Sequence, residues 1–516
     1  MAEETLQQFC GSEFWNSNLT WYTNTPRFTP CFEETVLAWV PCIFLVVFLP
    51  FDIYFSINSR EKNIPWNWRS KSKTIVCFIN LLSSVLDFIY SSKEFFVGQN
   101  VYPVEFVSPA IRAFELSACL GLILFHRLRG VRSSGLLFLF WFLVVLTGLP
   151  RTSSIFRFMD ETLGWHEVTF LVFYFSSVII FALHFIADIE PLEHDYPKTS
   201  NPRPEISASF PSRLTFSWFA SLALLGYRRP LVSSDLWNLN YEDTAAEVFP
   251  VFDKHWKATL AKNAGKLEAT YNGKVDGVNF GGIGKNTVKP SSILPALWKT
   301  FWPSFVFGSI LKLGQDLLGF VSPQVLALLI EFIQGDEPQW KGYLYVFLLM
   351  ITAALQTLFL AQYFYKLMFI GMHTRTALIS TIYRKALRLS SAARKESTVG
   401  EIVNIMSVDA QRFTDITTHL NMLWSAPLQI SLALYFLWQI LGPSVLAGLA
   451  VMIIIIPVNG FIANKMKTLQ IKQMKNKDER IKIMSEILSG IKVLKLYAWE
   501  PSFNNKSSKS EIRKSK

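Results

Sequence analysis

Charge is scarce in this sequence. Asp, Glu, Lys and Arg make up 17% of its 516 residues, where a soluble globular chain carries about 25%. Hydrophobic residues make up 51%, Phe alone numbers 44, and mean hydropathy is +0.28. This balance excludes an ordinary soluble enzyme and places the chain in a membrane. Cysteine is also sparse: the five residues have neither the density of a disulfide scaffold nor the spacing of a metal site. A cleavable signal peptide is missing, because residues 1–32 carry acids and no apolar core; the first apolar segment is expected to act as an uncleaved signal. The formal charge of +11 does not point to nucleic acid. Basic residues cluster between apolar runs, where membrane topology accounts for them. Length alone suggests three or four structural units.

Nucleotide machinery is missing too. Residues 281–287 (GGIGKNT) resemble a phosphate-binding loop at first glance. That loop needs Gly five residues before its Gly-Lys pair and Ser or Thr after it. Asn279 and Asn286 stand there instead, and no apolar strand precedes them. Leu488-Ser489-Gly490 opens like an ATPase signature but continues as Ile491-Lys492 within a helical pattern. No cofactor is expected to bind these residues.

What is abundant is long apolar runs, and they do not alternate, which argues for helices rather than strands as spans. Five fall at 35–56, 74–90, 107–125, 134–149 and 168–187; four more fall at 302–333, 342–372, 420–440 and 445–463. Two are short for the roughly 20 residues that a span needs. The fold class is therefore an all-α polytopic membrane protein. Arg60, Lys62, Arg69, Lys71 and Lys73 follow the first run, and Arg127, Arg129 and Arg132 follow the third. The alternate loops are poorer in positive charge, which puts the N-terminus outside and the stretch after Ala187 in the cytosol. In the second group, Asp336 and Glu337 fall outside while Arg375, Arg384, Lys385 and Arg388 fall inside, giving the same answer.

The outer tail, 1–34, holds Cys10 and Cys31, where oxidising conditions allow a disulfide. It also holds the sequon Asn18-Leu19-Thr20, a glycan acceptor site on the outer face. Cys42, Cys77 and Cys119 lie in or near spans as small apolar packing residues. After the five-helix domain, 35–187, residues 188–300 are too polar to span. Within them, 212–227 (SRLTFSWFASLALLGY) reads as an amphipathic segment, lying in the membrane interface or packed on neighbouring protein. Residues 263–289 are rich in Gly, Asn and Lys and lack apolar periodicity, so they are expected to be mobile.

Lys312 lies inside the run 302–333. An ammonium at the bilayer centre costs about 2.5–3.5 kcal/mol on insertion scales, so such a residue faces protein or water. Gln315 and Asp316 follow at i+3 and i+4 on the same face. Two readings remain open from these residues: a polar cavity for an anionic or amphipathic solute, or a structural Lys312–Asp316 pair.

Helical patterning continues past the spans into the cytosol at 372–389, 401–420 and 465–496, making antiparallel levers with turns at 390–400 and 494–503. The runs 397–412 (STVGEIVNIMSVDAQR), 441–448 (LGPSVLAG) and 490–500 (GIKVLKLYAWE), with 226–231 (GYRRPL) and 235–237 (DLW), resemble the multidrug resistance-associated branch of ABC exporters. The resemblance covers nearly the whole chain. It implies a five-helix N-terminal domain, a lasso-like linker, and the first four of six helices of a transmembrane domain in 301–516. It also implies alternating access in the plasma membrane, with ATP and magnesium used by the full-length protein, and export of amphipathic organic anions, glutathione conjugates and drugs. The implied partners are the lipid bilayer, these anions, nucleotide-binding domains and a second transmembrane half.

For the solute site, Lys312 matches the family's basic cavity residue. Gln315 stands where a relative carries His, Leu360 and Phe364 match apolar and aromatic lining positions, and His419 stands where relatives carry Tyr. Without the resemblance, Leu360 and Phe364 read as ordinary helix packing. Since two spans of this half, both nucleotide-binding domains and the second half are not in these residues, the chain is expected to be either a fragment of an exporter or a truncated, non-transporting product that binds a partner.

Overall fold

Helix after helix in this chain carries its polar residues inward, as lipid requires of a spanning bundle. The computed structural model describes residues 7–59, 61–97, 102–157, 164–194, 201–272, 291–391 and 398–502. Five helices come first: α1 (Ala38–Ile57), α2 (Trp68–Phe96), α3 (Val104–Leu128), α4 (Gly135–Arg157) and α5 (Trp165–Leu183). Two runs that looked short, 74–90 and 134–149, are full spans, because their helices continue into polar ends such as Ser70–Lys73 and Arg151–Arg157.

On α2, Asn80, Ser83, Ser84, Asp87 and Ser91 are buried, a stripe at helical spacing. They face α3 and α5. Ser83 donates to the Thr169 carbonyl at 2.9 Å and Ser84 to the Pro109 carbonyl at 3.0 Å. Asp87 accepts from Thr169 at 3.0 Å and meets His166 at 2.7 Å, with Arg112 3.9 Å away. Around this polar spine Leu116, Phe140, Trp141 and Ile180 form an apolar core. Ahead of α1, Thr29 Oγ1 accepts from the Phe32 amide and Pro30 opens the turn. Cys10 and Cys31 are joined by a disulfide with Cα atoms 5.2 Å apart, and Asn18 is exposed on a short helical turn, Ser17–Thr20.

The linker begins by clasping the end of this bundle where α2 starts and α3 finishes. A two-residue antiparallel pair forms, β1 (Glu61–Lys62) with β2 (Glu193–His194). Arg69 donates to the Ala187 carbonyl at 2.9 Å, and Lys73 pairs with Asp188 at 3.3 Å. Burial raises the Asp188 carboxyl above its usual range, against the pull of Lys73.

The segment 212–227 is not one amphipathic helix. It is α6 (Phe210–Leu214), a 3-10 turn (Ser217–Phe219) and α7 (Ala220–Arg228), broken at Phe216, whose φ is 57°. The break has a cause in the second span after the linker, Gln339–Ala386, where Gln362 donates to the Arg213 and Leu214 carbonyls, each at 3.0 Å. Those carbonyls would otherwise accept the next helical bonds, and Tyr365 packs its ring 5.2 Å from Phe216. Beyond α7, Asp235 ties back to Arg229 at 2.7 Å and to the Val232 amide at 3.0 Å, and Trp237 stacks near Trp218 and Phe219. Residues 263–272, expected to be mobile, instead finish a long helix, α8 (Ala245–Asn272); Ala, Lys, Leu and Glu supply the helix propensity there. The phosphate-loop look-alike at 281–287 lies outside the described residues.

Two long spans follow, α9 (Leu294–Gln334) and α10 (Gln339–Ala386). At 41 and 48 residues they run roughly 60 and 70 Å, twice the hydrocarbon thickness of about 30 Å. They pack closely along their length. A Cβ at Gly314 would sit 2.9 Å from the Phe359 ring, so this turn admits only glycine without a shift. Next come α11 (Val399–Asn404), a π-helical turn (Ile405–Asp409) and α12 (Ala410–Thr417). The expected helical stretch 401–420 is thus helical as far as Thr417, with a π-bulge at Ile405–Asp409.

Packing divides the chain into Met1–Leu423 and Trp424–Lys516. The second unit holds most of α13 (Met422–Leu441), then α14 (Val445–Ser489) and α15 (Ile491–Leu496). A 3-10 turn with Gly442 at φ 60° separates α13 from α14. Among the described residues, eight helical stretches are long and apolar enough to cross a membrane, and the last, Val399–Ser489, contains two of the nine expected spans. Tyr497 and Trp499 stack 5.4 Å apart past α15; residues 392–397 and Phe503 of the expected turns lie outside the described residues.

Gln362 anchors the linker, and its loss is measurable. Gln362→Ala removes two hydrogen bonds, about 2 kcal/mol together, and should raise transient opening of the linker roughly thirtyfold. Limited trypsin digestion should then cut after Arg228 correspondingly faster.

Candidate functional site

Lys312 sits mid-helix on α9, and the arrangement around it follows from helical spacing. Its Nζ donates to Gln315 Oε1 and to Asp316 Oδ1, each at 2.6 Å. The Lys312 side chain is 12% exposed and that of Asp316 is fully buried. Both open readings of these residues are therefore compatible with the geometry: the pair exists, and the ammonium keeps some access. An ammonium carries three N–H donors; two are directed at Gln315 and Asp316.

The neighbouring helix closes one side. Tyr363 on α10 is buried, its ring centroid 6.0 Å from Lys312 Nζ. Its hydroxyl donates to the Thr418 carbonyl at 3.3 Å. Ser309, one turn before Lys312, donates to Asn421 Oδ1 at 2.9 Å, and Asn421 is fully buried. The turn at 418–421, between α12 and α13, is thus fastened to α9 and α10 beside the charge. Sequence reasoning missed Ser309, Tyr363 and Asn421. Polar residues at an apolar span's centre are a signal that could have singled out Ser309 and Tyr363.

Leu360 and Phe364 lie elsewhere on α10. Leu367 and Tyr363 mark the face against α9, and Gln362, Tyr365 and His373 mark the face under the linker. At about 100° per residue, Leu360 and Phe364 fall between these two faces. They are 36% and 44% exposed, so they form an uncovered apolar strip beside the Lys312 face. His419 is exposed in the 418–421 turn, with Nδ1 engaged by the Asp415 carbonyl at 3.0 Å and Thr418 Oγ1 at 2.9 Å. The turn reaches α9 and α10 through Thr418 and Asn421; His419 bonds locally.

One long span holds a charged pair, and the next span carries the linker on its far face. The comparisons supply the class. Residues 7–163 match the ABC transporter TMD0 domain, and residues 305–516 match the ABC transporter transmembrane region. Mouse ATP-binding cassette sub-family C member 3 is 45% identical over 96% of this chain and 33% of its own length. The human protein of that name is 43% identical over 96% and 33%. Human sub-family C member 2 is 36% identical over 97% of this chain and 34% of its own length. The chain belongs to the multidrug resistance-associated, sub-family C branch of the ABC transporters, of which it corresponds to the N-terminal portion. It spans about a third of the length of the curated relatives that it matches.

The Lys312–Asp316 pair makes a direct prediction. Asp316→Leu leaves the ammonium with one partner inside a span and should destabilise the protein by about 3–5 kcal/mol. Lys312→Met together with Asp316→Leu should recover most of that loss, measured as yield and thermal stability of the full-length protein in detergent.

Proposed function

We propose that the chain is the N-terminal part of an ATP-driven exporter of amphipathic organic anions, including glutathione conjugates and drugs, that works by alternating access at the plasma membrane. The observation that carries this reading is Lys312, a cation held in a span with one donor left over and an apolar strip beside it. Asp316 and Gln315 fix the ammonium, and a solute's anionic group takes the third N–H. Leu360 and Phe364 receive the apolar body, and His419, at the cytosolic side of the same helices, contributes a polar rim. In this reading the chain divides into an outer tail (1–34), a five-helix domain (35–187), a linker (188–300) and a partial transmembrane domain (301–516). ATP and magnesium belong to nucleotide-binding domains elsewhere in the whole protein, and a second transmembrane half completes the cavity. No step of ATP chemistry is assigned to these residues.

Lys312→Met in the full-length protein should reduce ATP-dependent uptake of an anionic conjugate into inside-out vesicles about tenfold, the loss of one charge-assisted hydrogen bond, at equal protein per vesicle. Unchanged uptake removes Lys312 from the site. An antibody against 242–266 tests the larger claim. A native species well above the 59.0 kDa of this chain supports the exporter, and a single species at that mass favours a non-transporting product. Topology has its own check: Asn18→Gln should abolish a glycosidase-sensitive mobility shift if the tail is extracellular.

A further inference from the structure

A cavity of about 750 Å³ opens between the cytosolic end of the five-helix bundle, the linker and α10. Four cations line it: Arg132 from the loop before α4, Arg203 and Arg213 from the linker, and Lys366 from α10. Its carboxylates are Asp52, Glu61, Glu205 and Glu242. Three of these are engaged. Asp52 meets His126 at 2.5 Å, Glu61 meets Arg132 at 3.4 Å, and Glu205 meets Arg203 at 2.7 Å while accepting from Tyr365 at 2.5 Å. Glu242 is exposed at the rim.

Arg213 and Lys366 differ from the other two cations. Among the described residues neither has a carboxylate within ion-pair distance. Arg213 donates to the Ser133 carbonyl at 3.1 Å, and burial pushes its guanidinium below the ordinary value. Donors also outnumber acceptors: the Nε–H groups of Arg132, Arg203 and Arg213 are buried without one. Glu205 acts on the Arg213 guanidinium only from beyond ion-pair distance, and holding a guanidinium out of water without a carboxylate in direct contact is unfavourable unless an anion joins it. The cavity lies beside the last turn of α1, the loop after α3 and the start of α4, and the ends of spanning helices fall at the depth of lipid headgroups.

We propose that this cavity binds a phosphate ester, the headgroup of an anionic lipid of the cytosolic leaflet, between Arg213 and Lys366. Arg213 presents a planar fork suited to phosphate oxygens, and Lys366 adds a point charge from a different structural element. Bound phosphate would tie the linker to α10 at the same turn that Gln362 and Tyr365 hold. This site is separate from Lys312, and the proposal stands independently of the transport reading.

The test uses the full-length protein in nanodiscs containing phosphatidylinositol in a phosphatidylcholine background, read by native mass spectrometry. Wild type should retain phosphatidylinositol, and Arg213→Gln/Lys366→Gln should retain about tenfold less, from the loss of charged hydrogen bonds. Arg213→Lys/Lys366→Arg keeps both charges and should retain the lipid. Lys366→Gln alone changes an exposed side chain, leaves the fold intact, and should reduce occupancy. If lipid is not retained but inorganic phosphate raises the melting temperature of wild type and not of the double Gln variant, the site takes a soluble phosphate instead. Equal lipid retention and equal phosphate response in wild type and the Gln variants overturn the proposal.

Discussion

A polar group inside a bilayer has no water to fall back on, and the structure is organised around that constraint. In the five-helix bundle the answer is a stripe on α2, where Asn80, Ser83, Ser84 and Asp87 turn inward and are met by α3 and α5. In the second group it is the single turn Lys312–Gln315–Asp316, with Tyr363 beside it. In both, the acid of the stripe or turn has a partner within hydrogen-bond reach: His166 and Thr169 for Asp87, Lys312 for Asp316. The apolar residues that face outward, such as Phe55 and Ile454, need no such arrangement.

The same constraint shapes the linker. Its backbone leaves helical geometry at Phe216, and the freed carbonyls of Arg213 and Leu214 are taken by Gln362. The neighbouring Tyr365 and His373 hold Glu205 and Asp243. Tyr363, adjacent to Gln362 in sequence, faces Lys312 instead. One turn of α10 therefore carries the linker on one side and the candidate solute site on the other.

Membership of the sub-family C branch of ABC transporters gives this geometry its context. The TMD0 match covers the first four helices of the bundle, with the inward polar stripe on α2, and the transmembrane-region match begins just before Lys312. Between them lie α5 and the linker, and the linker bonds both to the loop before α4 and to α10. The motif 226–237 is a local fold of its own, with Asp235 clamping Arg229 and Trp237 closing over Trp218.

Spans and their order were legible in the sequence because hydropathy acts locally. Lys312, Gln315 and Asp316 were legible as a group for the same reason: helical spacing alone puts them together. The break at Phe216, the π-bulge between α11 and α12, and the helical end of α8 at 263–272 were not. The break at Phe216 depends on a donor 149 residues away from the carbonyl that it satisfies. Tyr363, Asn421 and the cluster of Arg213 with Lys366 likewise exist only after distant segments meet. Composition and periodicity determined that this chain spans a membrane and where it holds a charge; tertiary structure decided which groups answer that charge, because partners drawn from separate helices leave no periodic trace in either.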